Sequence, residues 1–312
     1  MKKTPLISIV FPTLNDGLPD VIKLMKSISK LNYPKNKIEI IMVDNGSTDN
    51  TIPYMKKNYS KVKVIENKIN LGSPKALNKA VKISKGDYFI RLDNDIQMDP
   101  ECINEMLKTF SKDSKAAAVA AKLYHDEYGG KVIRNLGWSY SFFTGKSFVR
   151  AKDKEDIGQF NEDREMDFVG GGVAMYNRAI FNKVGYFDER YFICLEDLDW
   201  DLRAHKLGYK IYCSGKAKLW HKTFSAERTS QFRMYHLMRS KMIFHLTWGG
   251  WKNIIFFPLY FIFTPFRLLG YVLQGRFDLP IPYTRGIIVG LTDHTTKLAY
   301  KGMKLQNLVM ER

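Results

Sequence analysis

Asp93 and Asp95 stand one residue apart around Asn94, directly after the apolar run at residues 88–92. Two carboxylates so spaced can face one small volume once the chain turns. Hard divalent cations such as Mg²⁺ or Mn²⁺ favour oxygen ligands and share their shell with phosphate oxygens. Asp and Asn also make ordinary solvated turns, so the pair alone admits either reading. Asp44 ends a second apolar run, residues 38–43, and opens Asp44-Asn45-Gly46-Ser47-Thr48-Asp49. A carboxylate there can accept from an imide N–H such as that of uracil or thymine; an Asx-turn or a helix N-cap explains it equally well.

Glu196, Asp197, Asp199 and Asp201 crowd the start of a helical segment, where the helix dipole stabilises negative charge. The cluster lies between Phe192, Leu195, Leu198 and Trp200, which predicts partial burial. A partly buried carboxylate has its pKa raised and can serve as a general base. His221 follows Leu219-Trp220. Alone it reads as structural; beside Asp95 it becomes a third metal ligand.

These side chains need a scaffold that gathers them. Residues 6–11, 38–43, 62–65 and 88–92 are apolar runs without polar alternation. Between them, Val21, Leu24, Met25, Ile28 and Leu31, then Leu77, Ala80, Val81 and Ile83, recur at helical spacing. The pattern predicts an α/β fold with a parallel sheet covered on both faces. Ligands of such sheets bind beyond the carboxyl ends of the strands. The polar residues after each strand are Thr13 and Asn15, then Asp44, Asn70, and Asp93 with Asp95. Residues 122–159 mix aromatics, glycines and charges in no readable order. Gly170-Gly171-Gly172 follows, and a helix is expected from near Leu195 to before Gly208.

The chain has 312 residues, enough for one large core and a small second module. Its net charge of +17 calls for an anionic partner: nucleic acid, a phospholipid surface or a phosphorylated substrate. Three scattered cysteines without a CxxC pair suggest neither a disulfide framework nor a zinc site. Lys2 and Lys3 precede an apolar run too short for a secretory signal, so the chain is expected to work in the cytoplasm. From Ala226 onward there are 12 Lys+Arg against 4 Asp+Glu. Residues 254–273 there are almost wholly apolar, broken by Pro258, Pro265, Arg267 and Gly270. Two prolines and an Arg weigh against spanning. A segment lying in or re-entering the membrane interface fits better, with Trp248, Trp251, Tyr260 and Tyr271 at headgroup level. A hydrophobic cap or a homodimer interface is the competing reading. The boundary is placed at 225/226, and the basic residues beside an apolar, aromatic segment favour lipid over nucleic acid.

Taken together, the segments resemble the family 2 glycosyltransferases. The resemblance rests on Ile7-Ser8-Ile9-Val10-Phe11-Pro12-Thr13-Leu14-Asn15, Val43-Asp44-Asn45-Gly46-Ser47-Thr48-Asp49, Asn70-Leu71-Gly72, Gly86-Asp87-Tyr88, Leu92-Asp93-Asn94-Asp95, Gly185-Tyr186-Phe187-Asp188-Glu189 and Glu196-Asp197-Leu198-Asp199-Trp200. It implies a GT-A fold, a mostly parallel Rossmann-like nucleotide-binding sheet with helices on both faces, over residues 1–225. It implies an inverting, metal-dependent sugar transfer from a nucleotide-diphospho-sugar to a lipid-linked or glycan acceptor, using Mg²⁺ or Mn²⁺. In this likeness Pro12, Thr13, Asn15, Asp44 and Asn70 line the nucleotide-sugar pocket and Lys75 lies near the donor phosphates. Asp93 and Asp95 hold ribose and metal, with His221 completing the metal site. The base is Asp197 in preference to Glu196, and Gly171, Gly172 and Trp200 border the acceptor and sugar.

The C-terminal part resembles the rhamnosyltransferase-like subset through Arg239-Ser240-Lys241 and Arg285-Gly286-Ile287-Ile288. Leu92-Asp93-Asn94-Asp95 departs from the Leu-Asn-Pro-Asp of that subset, so the sugar does not carry over. No Gln-x-x-Arg-Trp motif is evident, which favours transfer of one residue at a time. A sugar nucleotidyltransferase would carry a basic, glycine-rich loop after the first strand, where Thr13-Leu14-Asn15-Asp16-Gly17 has no basic residue. A nucleic-acid-binding protein would show tight, salt-sensitive binding to DNA or RNA.

Overall fold

The computed structural model describes residues 4–15, 17–125, 129–170, 173–222 and 230–292. Its first half builds β1 (Ile7–Thr13), α1 (Leu18–Ser29), β2 (Ile38–Asp44), α2 (Thr51–Asn58), β3 (Lys63–Glu66), α3 (Ser73–Ile83) and β4 (Tyr88–Arg91). β1 pairs in parallel with β2 and β4, and β2 with β3. The apolar runs form strands because both faces of this sheet are covered. Ile9 and Phe11 enter one core with Val21, Leu24 and Ile28 of α1; Val10 enters a second with Ala76, Leu77 and Ala80 of α3. Alternate side chains of one strand thus feed two layers.

The chain continues through β5 (Ile96–Met98), α4 (Cys102–Lys112), β6 (Ala116–His125), β7 (Ile133–Asn135), β8 (Trp138–Ser141), β9 (Lys146–Val149) and β10 (Arg164–Met166). It then forms β11 (Ala174–Asn177), α5 (Arg178–Val184), α6 (Glu196–Lys206) and β12 (Lys210–His221). The sheet order is β10-β12-β6-β11-β4-β1-β2-β3, with β7 on β6 and β5 on β12. β11 runs antiparallel between β4 and β6, and β12 is parallel to β6. The unordered stretch at 122–159 resolves into the end of β6, β7, and the separate two-stranded sheet of β8 and β9.

The chain divides into two compact units. Of the described residues, the first takes those within 1–139, 148–187 and 197–224, and the second those within 140–147, 188–196 and 225–312. The second contains α7 (Gln231–Trp248), α8 (Asn253–Leu273) and α9 (Pro280–Thr292). Its core is Met234, Met238, Met242, Phe256, Tyr260, Leu279, Tyr283 and Ile287. α9 lies close on α7 because Gly286 and Gly290 carry no side chain. A Cβ on Gly286 would come within 2.3 Å of the Tyr235 carbonyl oxygen.

α8 runs unbroken through Pro258 and Pro265, although each proline removes one backbone hydrogen bond. At 1.5 Å per residue its 21 residues extend about 32 Å. It is long and apolar enough to cross a membrane. Much of its surface is uncovered: Ile254 is 76% exposed, Phe266 68% and Leu273 78%.

Candidate active site

Parallel register brings the ends of β1 and β2 level, with Thr13 opposite Asp44. Asp44 is fully buried. Its Oδ2 accepts the Gly46 N–H at 3.0 Å and the Ser47 N–H at 2.8 Å, so the Asx-turn is real. Its Oδ1 is buried without a hydrogen-bond partner. An unmade bond at a buried acceptor is costly, and this one leaves an oxygen for a ligand N–H. Pro12 is the penultimate residue of β1. Asn15 Oδ1 accepts the Thr48 N–H at 2.7 Å, tying the loop after β1 to the loop after β2. Asn70 Oδ1 accepts the Gly72 N–H at 2.9 Å, closing the turn into α3. Lys75 is exposed in the first turn of that helix.

Asp93 and Asp95 occupy the bend between β4 and β5. β5 folds back antiparallel on β12, pairing Ile96 with His221. That pairing delivers His221 beside Asp95, Nε2 to Oδ1 at 3.0 Å. Nδ1 of His221 is buried without a partner. Ligand atoms of Asp93, Asp95 and His221 all lie within 4.8 Å of one another. Burial raises the Asp93 pKa; His221 and Arg91 oppose this, while Asp95 and Asp197 reinforce it. Two crowded carboxylates and one imidazole suit a divalent cation, whose charge would relieve the repulsion.

Cys194 and Leu195, just before α6, have φ of 72° and 68°. Left-handed backbone at such residues costs on the order of 1–3 kcal/mol each and concentrates at functional sites. Glu196 and Asp197 follow at once, and both are buried. Asp197 Oδ1 accepts the Leu198 N–H at 2.9 Å. Asp199 is locked to Arg203 at 2.9 Å, and Arg203 also donates to the carbonyls of Val184 and Tyr186. Asp201 Oδ2 accepts the Val169 N–H at 2.9 Å. Burial pushes the Asp201 carboxyl well above the usual range, against the pull of that N–H.

Trp200 does not border a site. It is wholly buried, stacked on Phe181 at 5.2 Å between ring centroids, with its indole N–H donated to the Gly185 carbonyl. Residues 197–201 of α6 are buried without a break, so position on this helix does not imply access to ligand. Gly171 and Gly172 lie outside the described residues. Gly170 has φ +59°, and a Cβ there would sit 2.0 Å from the Trp138 ring. Sequence reasoning missed Arg91, whose signal is a lone cation in the buried run 88–92; it lies over the Phe187 ring at 5.3 Å. It also missed the distinct environment of Asp201 and the strained pair before α6.

The sequence pattern described as "Glycosyl transferase family 2" matches residues 8–185. The chain belongs to glycosyltransferase family 2. This family 2 chain is 26% identical over 267 residues to the N-acetylglucosaminyl-diphospho-decaprenol L-rhamnosyltransferase of Mycobacterium tuberculosis, covering 77% of this chain and 84% of that one. It is 37% identical over 122 residues to the poly(ribitol-phosphate) beta-glucosyltransferase of Bacillus spizizenii, covering 38% and 19%. Among solved structures, GalNAc-T7 with UDP, GalNAc and Mn²⁺ superposes with a TM-score of 0.65 at 16% identity, over 81% of this chain and half of that one. The mannosyltransferase PcManGT of Pyrobaculum calidifontis, in complex with GDP-Man and Mn²⁺, gives 0.56 at 15% identity over 98% and 81%. These likenesses establish the GT-A fold of the family 2 chain.

Proposed function

We propose that the chain is an inverting glycosyltransferase of cell-surface glycan synthesis, moving a sugar from a nucleotide-diphospho-sugar to a hydroxyl of a lipid-linked or glycan acceptor. The observation that carries this is the gathering of Asp93, Asp95 and His221 within 4.8 Å. These three would hold Mg²⁺ or Mn²⁺. A bound divalent cation neutralises charge on the departing diphosphate. Relatives support the reading: the rhamnosyltransferase is named for a lipid-diphosphate acceptor, and two similar folds carry Mn²⁺ with UDP or GDP-Man.

The chain's own residues then divide the work. Asp44 accepts from the base through its Oδ1, with Pro12, Thr13 and Asn15 around it. Asn70 and Lys75 serve the donor, Lys75 toward the phosphates. Asp197 takes the proton of the acceptor hydroxyl, with Glu196 beside it in sequence as the alternative. The freed oxygen bonds to the anomeric carbon on the face opposite the diphosphate, and the carbon–phosphate oxygen bond breaks with inversion. One carboxylate base suffices, because no glycosyl-enzyme intermediate forms. The influence of Asp197 on Asp93 supports its membership of the same site. Gly171 and Gly172 would border acceptor and sugar. Residues 1–225 form the catalytic domain, and 226–312 attach it to the cytoplasmic face of the membrane through the exposed face of α8.

Calorimetry with UDP, GDP and dTDP tests the donor site. At least one should bind with Mn²⁺ or Mg²⁺ present, and binding should vanish with EDTA or in Asp95→Ala. No diphosphonucleotide binding by the wild type with metal present would end the proposal.

A further inference from the structure

Residues 230–292 hold seven Lys+Arg and a single acid, Asp278. That acid is taken by Arg276, Nε to Oδ1 at 2.9 Å. Two of the remaining cations converge on one aromatic ring. Lys241, from α7, has its Nζ 5.8 Å from the centroid of Tyr260. Arg267, from α8, has its guanidinium carbon 4.7 Å from the same centroid. Arg267 also donates to the Tyr283 hydroxyl of α9 at 3.5 Å, and the Tyr283 and Tyr260 hydroxyls are 2.9 Å apart. Neither cation has a carboxylate partner among the described residues. Both are only half-exposed.

Two like charges brought together in a partly apolar place repel each other and lose hydration. Cation–π attraction to Tyr260 offsets some of this. Burial and the Arg267 charge press the Lys241 pKa down to about 8, the response of an ammonium that lacks an anion. An anion placed there would recover Coulomb energy from both cations and could accept from the guanidinium fork. On the same helix as Arg267, the apolar side chains of Ile262, Phe263, Phe266 and Leu269 are exposed. Cationic heads beside an open apolar face match one kind of occupant: an amphiphile with a negative head and an apolar tail.

We propose that Lys241, Arg267 and the Tyr283 hydroxyl form a binding site for the headgroup phosphate of an anionic membrane phospholipid, with its acyl region against the exposed face of α8. The site rests on the membrane-face reading given above and sharpens it from diffuse attraction to named side chains of three helices.

Flotation of the full chain with vesicles tests it, using phosphatidylcholine alone and phosphatidylcholine with phosphatidylglycerol. Lys241→Gln/Arg267→Gln is compared with Lys252→Gln/Arg285→Gln, which removes the same charge elsewhere in this unit. The second pair sets the loss expected of diffuse attraction; affinity for the anionic vesicles should fall roughly tenfold further in the first pair, where charge-assisted hydrogen bonds to the phosphate are lost as well. Equal losses in the two pairs would overturn the site and leave diffuse attraction. No loss in the first pair, with wild-type binding intact, would also overturn it while sparing the membrane reading. Absence of wild-type binding to either vesicle would remove the membrane reading itself. If the first pair melts without cooperativity, Arg267→Lys decides: weaker anionic-vesicle binding at unchanged net charge supports the site, and unchanged binding overturns it.

Discussion

Asp197 enters α6 behind two residues in the left-handed region, so backbone geometry sets where its carboxylate stands. If it is the base, Asp197→Asn should lower turnover by about 10²–10⁴ and leave metal-dependent nucleotide binding unchanged. Turnover assays beside calorimetry on one preparation check this, and unaltered turnover would move the role elsewhere. At this scale the sequence is partly legible. Asp44 supported two readings, and the structure contains the turn while leaving Oδ1 open. Trp200 misled, because a large aromatic near acids suits either a sugar platform or a core, and α6 buries it.

Elements explain why some features can be read and others cannot. β1, β2 and β4 announce themselves because strands covered on both faces become unbroken apolar runs. α2 does not, since only Thr51 and Met55 of its eight residues are buried. β5 is three residues long and has no periodicity to detect, yet it decides where His221 goes. The ties between α6 and the segment before the glycine run are equally silent: His205 Nε2 meets the Asp167 carbonyl, and the Val169 N–H donates to Asp201. Asp201 makes the second tie testable. Its native pKa is raised, so it keeps a proton that the unfolded chain releases above about 4. Its contribution to stability therefore falls as pH rises from about 4 toward its native value. Asp201→Asn retains the acceptor but has no proton to lose. Denaturant melts should show the wild type's advantage over this variant shrinking between pH 4 and 7. An advantage that grows would mean that Asp201 is ionised in the fold.

For the molecule as a whole, a cation that binds only the folded chain stabilises it by mass action. The gain is about 2.7 kcal/mol at a hundredfold excess over Kd. Mn²⁺ should raise the wild-type Tm by a few degrees, EDTA should reverse the rise, and Asp95→Ala should show none. Scanning calorimetry reads all three.

β5 on β12 joins the bend after the fourth strand to the end of the twelfth. Asp95 and His221 are widely separated along the sequence, and a chain emerging residue by residue carries the first long before the second exists. The three-ligand group is therefore completed only when the last strand of the sheet docks. Long-range closures of this kind are late and slow steps in folding. On the proposed reading, a nascent or truncated chain would carry Asp44, Asp93 and Asp95 without His221, so the ability to capture a cation would mark chains that have finished folding.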